Sequence, residues 1–409
     1  MKFLQLFVPR RLSPLLLALA VASLPAAHAA PDSKTTTPKA AAAKKAKAKA
    51  KAKAKPNAKP PARGASAAKA AAKAAIKRTA NVDHVGEQVN FSEWSEVQRF
   101  ADEMVARHGF EREWLNGLIA QMRFVDSAVQ LVKPAPPGKP KNWAAVRELF
   151  IEPVRVKGGV LFWNQNAGAL AKAEAQFGVP AEIIVGIIGV ETVYGRNTGR
   201  FRVLDTLATL AFAYPETHNQ VARKAFFRGE LENTLLLSRQ ANFDPLSLNG
   251  SFAGAVGIPQ FMPGSILAHA VDFDGDGKVD LVNSTSDAIG SVASFLVNHG
   301  WQRSDAGPLV YAANVSPSNA WEKFINQGLQ AKFRQDELAD AGVVSSATLP
   351  PAALFGLVDL QNGAEPTEYW LATNNFFSIT QYNRSYFYAM SVIELGKAVR
   401  ARRAALPSA

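Results

Sequence analysis

One carboxylate closes an apolar run. Pro180 is followed by Ala181-Glu182-Ile183-Ile184-Val185-Gly186-Ile187-Ile188-Gly189-Val190, and then by Glu191-Thr192-Val193-Tyr194-Gly195. Proline suits the first helical position, and a helix apolar nearly all round belongs in a core, so Glu191 is carried into one. Burial disfavours the ionised carboxylate and raises its pKa, the condition for a group that must keep a proton near neutral pH and hand it to a leaving oxygen. Further on stands Gly250-Ser251-Phe252-Ala253-Gly254-Ala255-Val256-Gly257-Ile258-Pro259-Gln260-Phe261-Met262-Pro263, a small-residue turn that brings backbone and amide groups close to a bound molecule. An isolated acid beside such a cradle suggests sugar chemistry. Two plainer readings stand beside it: Glu191 in a buried ion pair with Arg196 or Arg200, and glycines that only let two helices pack closely.

The sharpest chemical spacing is Asp272-Phe273-Asp274-Gly275-Asp276-Gly277-Lys278-Val279-Asp280-Leu281-Val282-Asn283. Oxygen ligands fall at loop positions 1, 3, 5, 9 and 12 (Asp272, Asp274, Asp276, Asp280 and Asn283). The Lys278 carbonyl is available at position 7, and Gly277 stands at position 6, where the loop turns sharply. That is the EF-hand calcium pattern. It departs from the usual one at Asn283, a neutral ligand where a bidentate glutamate is common, which weakens binding. The alternative is an acidic surface turn without metal. One copy of the loop points to a structural calcium rather than to a sensor.

Other catalytic frameworks are excluded by spacing. The histidines at 28, 84, 108, 218, 269 and 299 never form His-Glu-x-x-His, and Ser251 sits in Gly-Ser-x-x-Gly rather than in a Gly-x-Ser-x-Gly elbow. No phosphate loop or dinucleotide fingerprint appears, so no organic cofactor is expected.

These residues need a scaffold, and apolar periodicity makes it mainly helical. Helical spacing recurs over 100–107, 111–121, 160–177, 181–192, 203–212, 220–240, 288–299 and 385–402, with a further stretch at 265–271 before the acidic loop. Period-two patterns are confined to 352–359 and 368–380, where a small sheet or hairpin is expected. No fixed-period repeat is present.

The amino end carries an address. Lys2, Arg10 and Arg11 precede an apolar run from Leu15 to Leu24 and the small-x-small triplet Ala27-His28-Ala29, which reads as a secretory signal peptide of residues 1–29. The run falls short of the ~20 residues that span a bilayer, and the chain has no cysteine for disulfides or lipid attachment. A soluble, exported, periplasmic protein is expected. Residues 30–81 read as a solvated linker rich in Lys, Ala and Pro, with transient helix around 65–76. Its 15 Lys/Arg against Asp32 account for the chain's net charge of +12 and leave the remainder acidic. Contact with anionic envelope material is expected of it, or service as a plain spacer, while nucleic acid is not an expected partner. Residues 82–409 form the globular part, with a core at about 160–310.

The chain resembles the lytic murein transglycosylases of the B type. The likeness runs from Phe91 to the carboxyl end. In order, it is carried by Phe162-Trp163-Asn164-Gln165, Gly186-Ile187-Ile188-Gly189-Val190-Glu191-Thr192, Leu204-Asp205-x-Leu207-Ala208-Thr209-Leu210, the cradle, the acidic loop, Asp287-Ala288-Ile289-Gly290-Ser291-Val292-Ala293, and Ile379-Thr380-x-Tyr382-Asn383-x-Ser385.

The resemblance implies a lysozyme-like, mainly α fold with a minor β region, helical lobes and an EF-hand-like calcium site in its core lobe. It implies cleavage of the glycan between N-acetylmuramic acid and N-acetylglucosamine without net addition of water. Glu191 would serve as both acid and base, where ordinary glycosidases use two carboxylates. It further implies that Ser251 bonds the sugar's acetamido side, that Gln260 holds the adjoining saccharide, and that Tyr382 and Asn383 lie across the cleft. Peptidoglycan strands are the implied partner, and other cell-wall enzymes are candidates. The alternatives are a hydrolytic muramidase, in which water reaches the same intermediate, and a non-catalytic wall-binding scaffold. Asn166 stands where the family carries an aromatic, and residues 214–227 depart from its charged form, so neither a stacking contact nor peptide-stem recognition is carried over there.

Overall fold

The computed structural model describes residues 89–134, 140–305 and 307–406. The expected signal peptide, linker and helix near 65–76 lie outside the described residues. The helices are α1 (Ser95–His108), α2 (Arg112–Ile119), α3 (Asp126–Leu131), α4 (Trp143–Phe150), α5 (Pro153–Gln165), α6 (Ala167–Phe177), α7 (Ala181–Thr192), α8 (Val203–Ala213), α9 (Gln220–Gln240), α10 (Pro263–His269), α11 (Thr285–Asn298), α12 (Gln335–Asp340), α13 (Asn374–Tyr382) and α14 (Tyr386–Ala404). Among the described residues no single helix is long and apolar enough to cross a membrane.

Helix α7 is the centre of the core. Its sequence is apolar on every side; ten of its twelve residues are buried, and Glu182 and Glu191 are partly buried. It lies against α14, α5 and α6. Glycine sets how closely the first pair approaches: a Cβ on Gly186 would be driven into the Val392 carbonyl, and one on Gly396 into the Glu182 carbonyl. Each partner therefore supplies a glycine where the other supplies backbone. The ends are held by an ion pair between Arg400 and Glu182 at 2.6 Å.

Two small sheets complete the fold. Strands β1 (Phe201–Arg202) and β2 (Asn249–Gly250) pair antiparallel, which anchors the start of the glycine cradle beside α8. Strands β3 (Val310–Val315), β4 (Val343–Val344), β5 (Gly356–Asn362) and β6 (Glu365–Ala372) form an antiparallel sheet in the order β4-β3-β6-β5. Alternation along β5 divides the faces. Val358 and Leu360 join the main core, while Leu357 points to a second apolar cluster with Tyr311, Phe324, Phe355 and Leu371.

Two expectations are corrected. The run at 160–177 is two helices rather than one, because the Asn166 side chain turns back to the Phe162 carbonyl at 2.8 Å and the chain changes direction there. The pattern at 368–380 is strand only as far as Ala372. Thr373 gives its N–H and its hydroxyl to the Leu309 carbonyl, at 2.9 and 3.1 Å, and α13 begins at the next residue.

The glycine crossing is open to a stability test. Gly186→Ala is expected to cost about 1–3 kcal/mol in urea unfolding through overpacking against backbone. Gly168→Ala, at an exposed position of α6 with no atom near its added Cβ, is expected to be neutral or to stabilise by up to ~1 kcal/mol.

Candidate active site

Glu191 sits one residue from the end of α7, and the chain leaves that helix in an uncommon way. Val193 and Tyr194 both take left-handed backbone angles, with φ of 52° and 62°. For a β-branched residue such as Val193 this is strained. The turn is closed by Val193 N–H to the Gly189 carbonyl and Tyr194 N–H to the Ile188 carbonyl, both 3.3 Å. The Tyr194 ring folds back over Gly158, Gly159 and Gly189; a Cβ on Gly159 or Gly189 would collide with its hydroxyl, and one on Gly158 would press on its edge.

Beneath this turn lies Arg155, fully buried. Its Nη1 donates to the Gly189 carbonyl at 2.6 Å and to Val190 at 3.5 Å, placing a cation at the negative end of the α7 dipole. Burial lowers its pKa, while Glu152 and Tyr194 act in the opposite sense. Nothing in the spacing of the sequence ties Arg155 to this helix end.

The acid's own partner is Tyr388. Its hydroxyl donates to Glu191 Oε1 at 2.6 Å from the first turn of α14. Burial raises the Glu191 carboxyl, and the Tyr388 hydrogen bond opposes it; the balance leaves the pKa at about 7. Among the described residues no arginine pairs with Glu191, so the Arg196 or Arg200 ion pair does not form. Nor does a second carboxylate perturb it. Tyr382, near-parallel to Tyr388 with ring centroids 6.3 Å apart, is also within electrostatic reach of Glu191. Burial, then Glu191, hold both phenols well above their usual range, so they stay protonated donors. Tyr388 lies 197 positions from Glu191, and only the α7–α14 crossing identifies it.

The glycine cradle is a folded loop rather than a helical packing seam. Gly254 and Gly257 take φ of 85° and 72°. A Cβ on Gly257 would meet the Leu281 carbonyl, and one on Gly250 the Ala255 carbonyl. Three bonds clamp its far end: Thr192 Oγ1 to the Ile258 carbonyl at 2.8 Å, Tyr382 OH to the Pro259 carbonyl at 2.5 Å, and Ile258 N–H to the Leu281 carbonyl at 2.8 Å. The cradle is thus fastened to the acid's helix, to α13 and to the acidic loop.

The expected site residues take different positions around it. Ser251 is buried, and its Oγ accepts the Ala253 and Ala255 amides at 3.3 and 2.9 Å, so its hydroxyl proton is left to donate. Gln260, at φ 55°, turns its side-chain amide inward to the Thr198 and Gly257 carbonyls at 3.1 and 2.9 Å. Its carbonyl oxygen is then the group it can offer outward. Asn383 is buried directly after α13.

In the acidic loop, carboxylate oxygens of Asp272, Asp274 and Asp276 lie within 4.8 Å of one another and are exposed. Gly275 and Gly277 take φ of 81° and 90°, and Asp272 accepts the amides of Gly275 and Gly277 at 2.7 and 2.8 Å. The donor set is oxygen-only, which fits a hard divalent cation. Asp280 is occupied elsewhere, accepting the Asn283 side-chain amide at 2.9 Å. Buried Asp287 closes the loop from outside the ligand pattern, accepting the amides of Phe273 and Asp280 at 2.8 Å each.

A family model described as Transglycosylase SLT domain matches residues 91–397. The chain is 42% identical over 323 residues to the membrane-bound lytic murein transglycosylase B of Escherichia coli strain K12, covering 77% of this chain and 85% of the relative. It is similar to the crystal structure of the soluble lytic transglycosylase SltB1 of Pseudomonas aeruginosa, with a TM-score of 0.68 and 43% identity over 76% of this chain and 100% of that one. It is likewise similar to the Escherichia coli lytic transglycosylase Slt35 solved in complex with calcium, with a TM-score of 0.68 and 41% identity over 77% of this chain and 96% of that one.

Two measurements check this geometry. An acid that works protonated loses activity as pH rises through its pKa, so kcat/KM on glycan strands is expected to fall above pH about 7. Tyr388→Phe removes the bond that lowers this pKa, so the falling limb moves to higher pH while kcat drops roughly tenfold. Thermal melting is expected to rise by several degrees in calcium relative to chelator, a difference that Asp272→Asn with Asp276→Asn abolishes.

Proposed function

The chain belongs to the lytic murein transglycosylases, a peptidoglycan-cleaving family, and on that premise we propose that Glu191 alone performs both proton transfers of the reaction. The reaction is non-hydrolytic cleavage of the β-1,4 bond between N-acetylmuramic acid and N-acetylglucosamine, leaving a 1,6-anhydromuramic end. Glu191, protonated at a pKa of about 7, gives its proton to the glycosidic oxygen as the bond from C1 breaks. The acetamido oxygen of the same muramic unit stabilises C1. The Glu191 carboxylate then takes the C6 hydroxyl proton as O6 closes on C1.

The observation that carries this reading is the lack, among the described residues, of a second carboxylate acting on Glu191. Two-carboxylate hydrolysis needs a partner acid on the opposite face of the sugar, and the likeness to lytic transglycosylases favours ring closure over capture of the same intermediate by water. A pKa near neutrality suits one group that must be acid first and base second. Tyr388 donates to the carboxylate as it forms and holds its orientation. Ser251 directs its remaining hydroxyl proton to the acetamido group, Gln260 offers its carbonyl oxygen to the neighbouring saccharide, and Tyr382 and Asn383 line the opposite wall.

The oxygen donors of the acidic loop suit calcium as a brace. Asp272, Asp274 and Asp276 would hold it with the Lys278 carbonyl, and Asp280 and Asn283 would join after giving up their mutual bond. The ion's contribution would be charge neutralisation that stiffens the loop behind Leu281, whose carbonyl holds Ile258 of the cradle. Residues 1–29 would direct export to the periplasm and 30–81 would tether residues 82–409 to anionic envelope material.

Mass spectrometry of soluble products from peptidoglycan sacculi tests the reaction, since an anhydro end is one water lighter than a reducing end. Anhydro-muropeptides are expected, with a loss of roughly 10³–10⁴-fold in rate for Glu191→Gln. Reducing-end products would establish hydrolysis, and unchanged cleavage by the variant would remove Glu191 from the mechanism.

A further inference from the structure

The small sheet carries a cavity of about 250 Å³, lined by Trp321, Glu322, Asn326, Asp359, Gln361 and Tyr369 among others. It forms on the β5–β6 face opposite the main core. Asp359 and Tyr369 are cross-strand partners in the β5–β6 register, and Gln361 follows Asp359 on the same face. The 3₁₀ turn Ala320–Phe324 brings Trp321 over them, its ring meeting Tyr369 edge to face with centroids 4.9 Å apart. The Trp321 indole N–H is already given to the Ser316 carbonyl at 2.9 Å, so the ring surface is what remains to offer. Gln361 Nε2 bonds Asp359 Oδ2 at 3.0 Å, which fixes both side chains toward the cavity's polar side.

This composition selects among ligands. No cationic side chain lines the cavity, so phosphates, carboxylate-bearing muramic units and peptide carboxyl termini meet two negative charges with nothing to offset them. Aromatic faces are negative at their centres and attract the polarised C–H bonds of a pyranose ring. Planar carboxylates and amides accept and donate in the directions that vicinal hydroxyls require. The volume is below the ~300–1,000 Å³ of pockets that enclose whole drug-sized ligands, so a single ring is what enters.

We propose that this cavity is a second saccharide site, separate from the Glu191 cleft, that takes a neutral N-acetylglucosamine unit of the glycan strand. The choice of polymer rests on the peptidoglycan-cleaving reading; the sugar chemistry of the cavity does not. The other face of β5 packs against α14, the helix that carries the acid's partner, so the sheet lies between the cavity and that helix. A strand held there is kept close between cuts.

The test uses the full-length Glu191→Gln chain, ¹⁵N-labelled at tryptophan, titrated with tetra-N-acetylchitotetraose. The Trp321 indole resonance, assigned with Trp321→Phe, is expected to shift and saturate. Gln361→Ala, an exposed change that leaves the rings in place, is expected to weaken that response roughly three- to tenfold. A Trp321 signal that ignores the sugar overturns the proposal, as does one that moves with n-butylammonium instead, which would mark a cation cage. Cleavage of sacculi by the unmutated chain is scored separately. Loss of cleavage with an intact Trp321 response defeats the functional reading alone, and the reverse defeats the cavity alone.

Discussion

At Gly186 the backbone of α7 touches the backbone of α14, and Gly396 returns the contact at the Glu182 carbonyl. Without side chains between them, two helices approach closely enough for a tyrosine on the first turn of one to reach a carboxylate on the last turn of the other. The 2.6 Å bond from Tyr388 to Glu191 is therefore a consequence of packing rather than of local sequence. The glycine crossing supplies the partner, and the apolar surroundings of the helix end supply the desolvation.

Those two effects oppose each other on the carboxyl group. Burial favours the neutral form and the phenol favours the anion, and their balance near pH 7 suits a group whose task reverses within one turnover. Strain at Val193 and Tyr194 and the buried Arg155 guanidinium fix where the helix stops, and so where the carboxyl points. The cradle is tied to this arrangement by Thr192 and Tyr382, and to the acidic loop through Leu281. A cation neutralising Asp272, Asp274 and Asp276 would thus act on the substrate wall through a single hydrogen bond, without itself entering the chemistry.

Much of this was legible in the residue order, and what was not has physical reasons. An apolar run ending in one acid announces a buried carboxylate, and alternating aspartates with a glycine at the sharp turn announce a loop built for a cation. Helix limits at 181–192 and 220–240 follow from periodicity alone. Tyr388 and Arg155 are invisible that way, because each acts across a tertiary contact that no spacing rule reports. The glycines at 250, 254 and 257 left two readings open, and only backbone angles decide for a loop over a helix seam. The strand pattern at 368–380 failed where Thr373 diverts both its donors to Leu309, an interaction set by a neighbouring segment.

That Glu191 still holds its proton near neutrality is open to a ¹³C NMR titration of its side-chain carboxyl, assigned with Glu191→Gln. A midpoint at about 7 is expected, rising when Tyr388 is replaced by Phe. A midpoint near the ordinary 4.5 would mean an anion at working pH, and a group that could not begin the reaction as its acid.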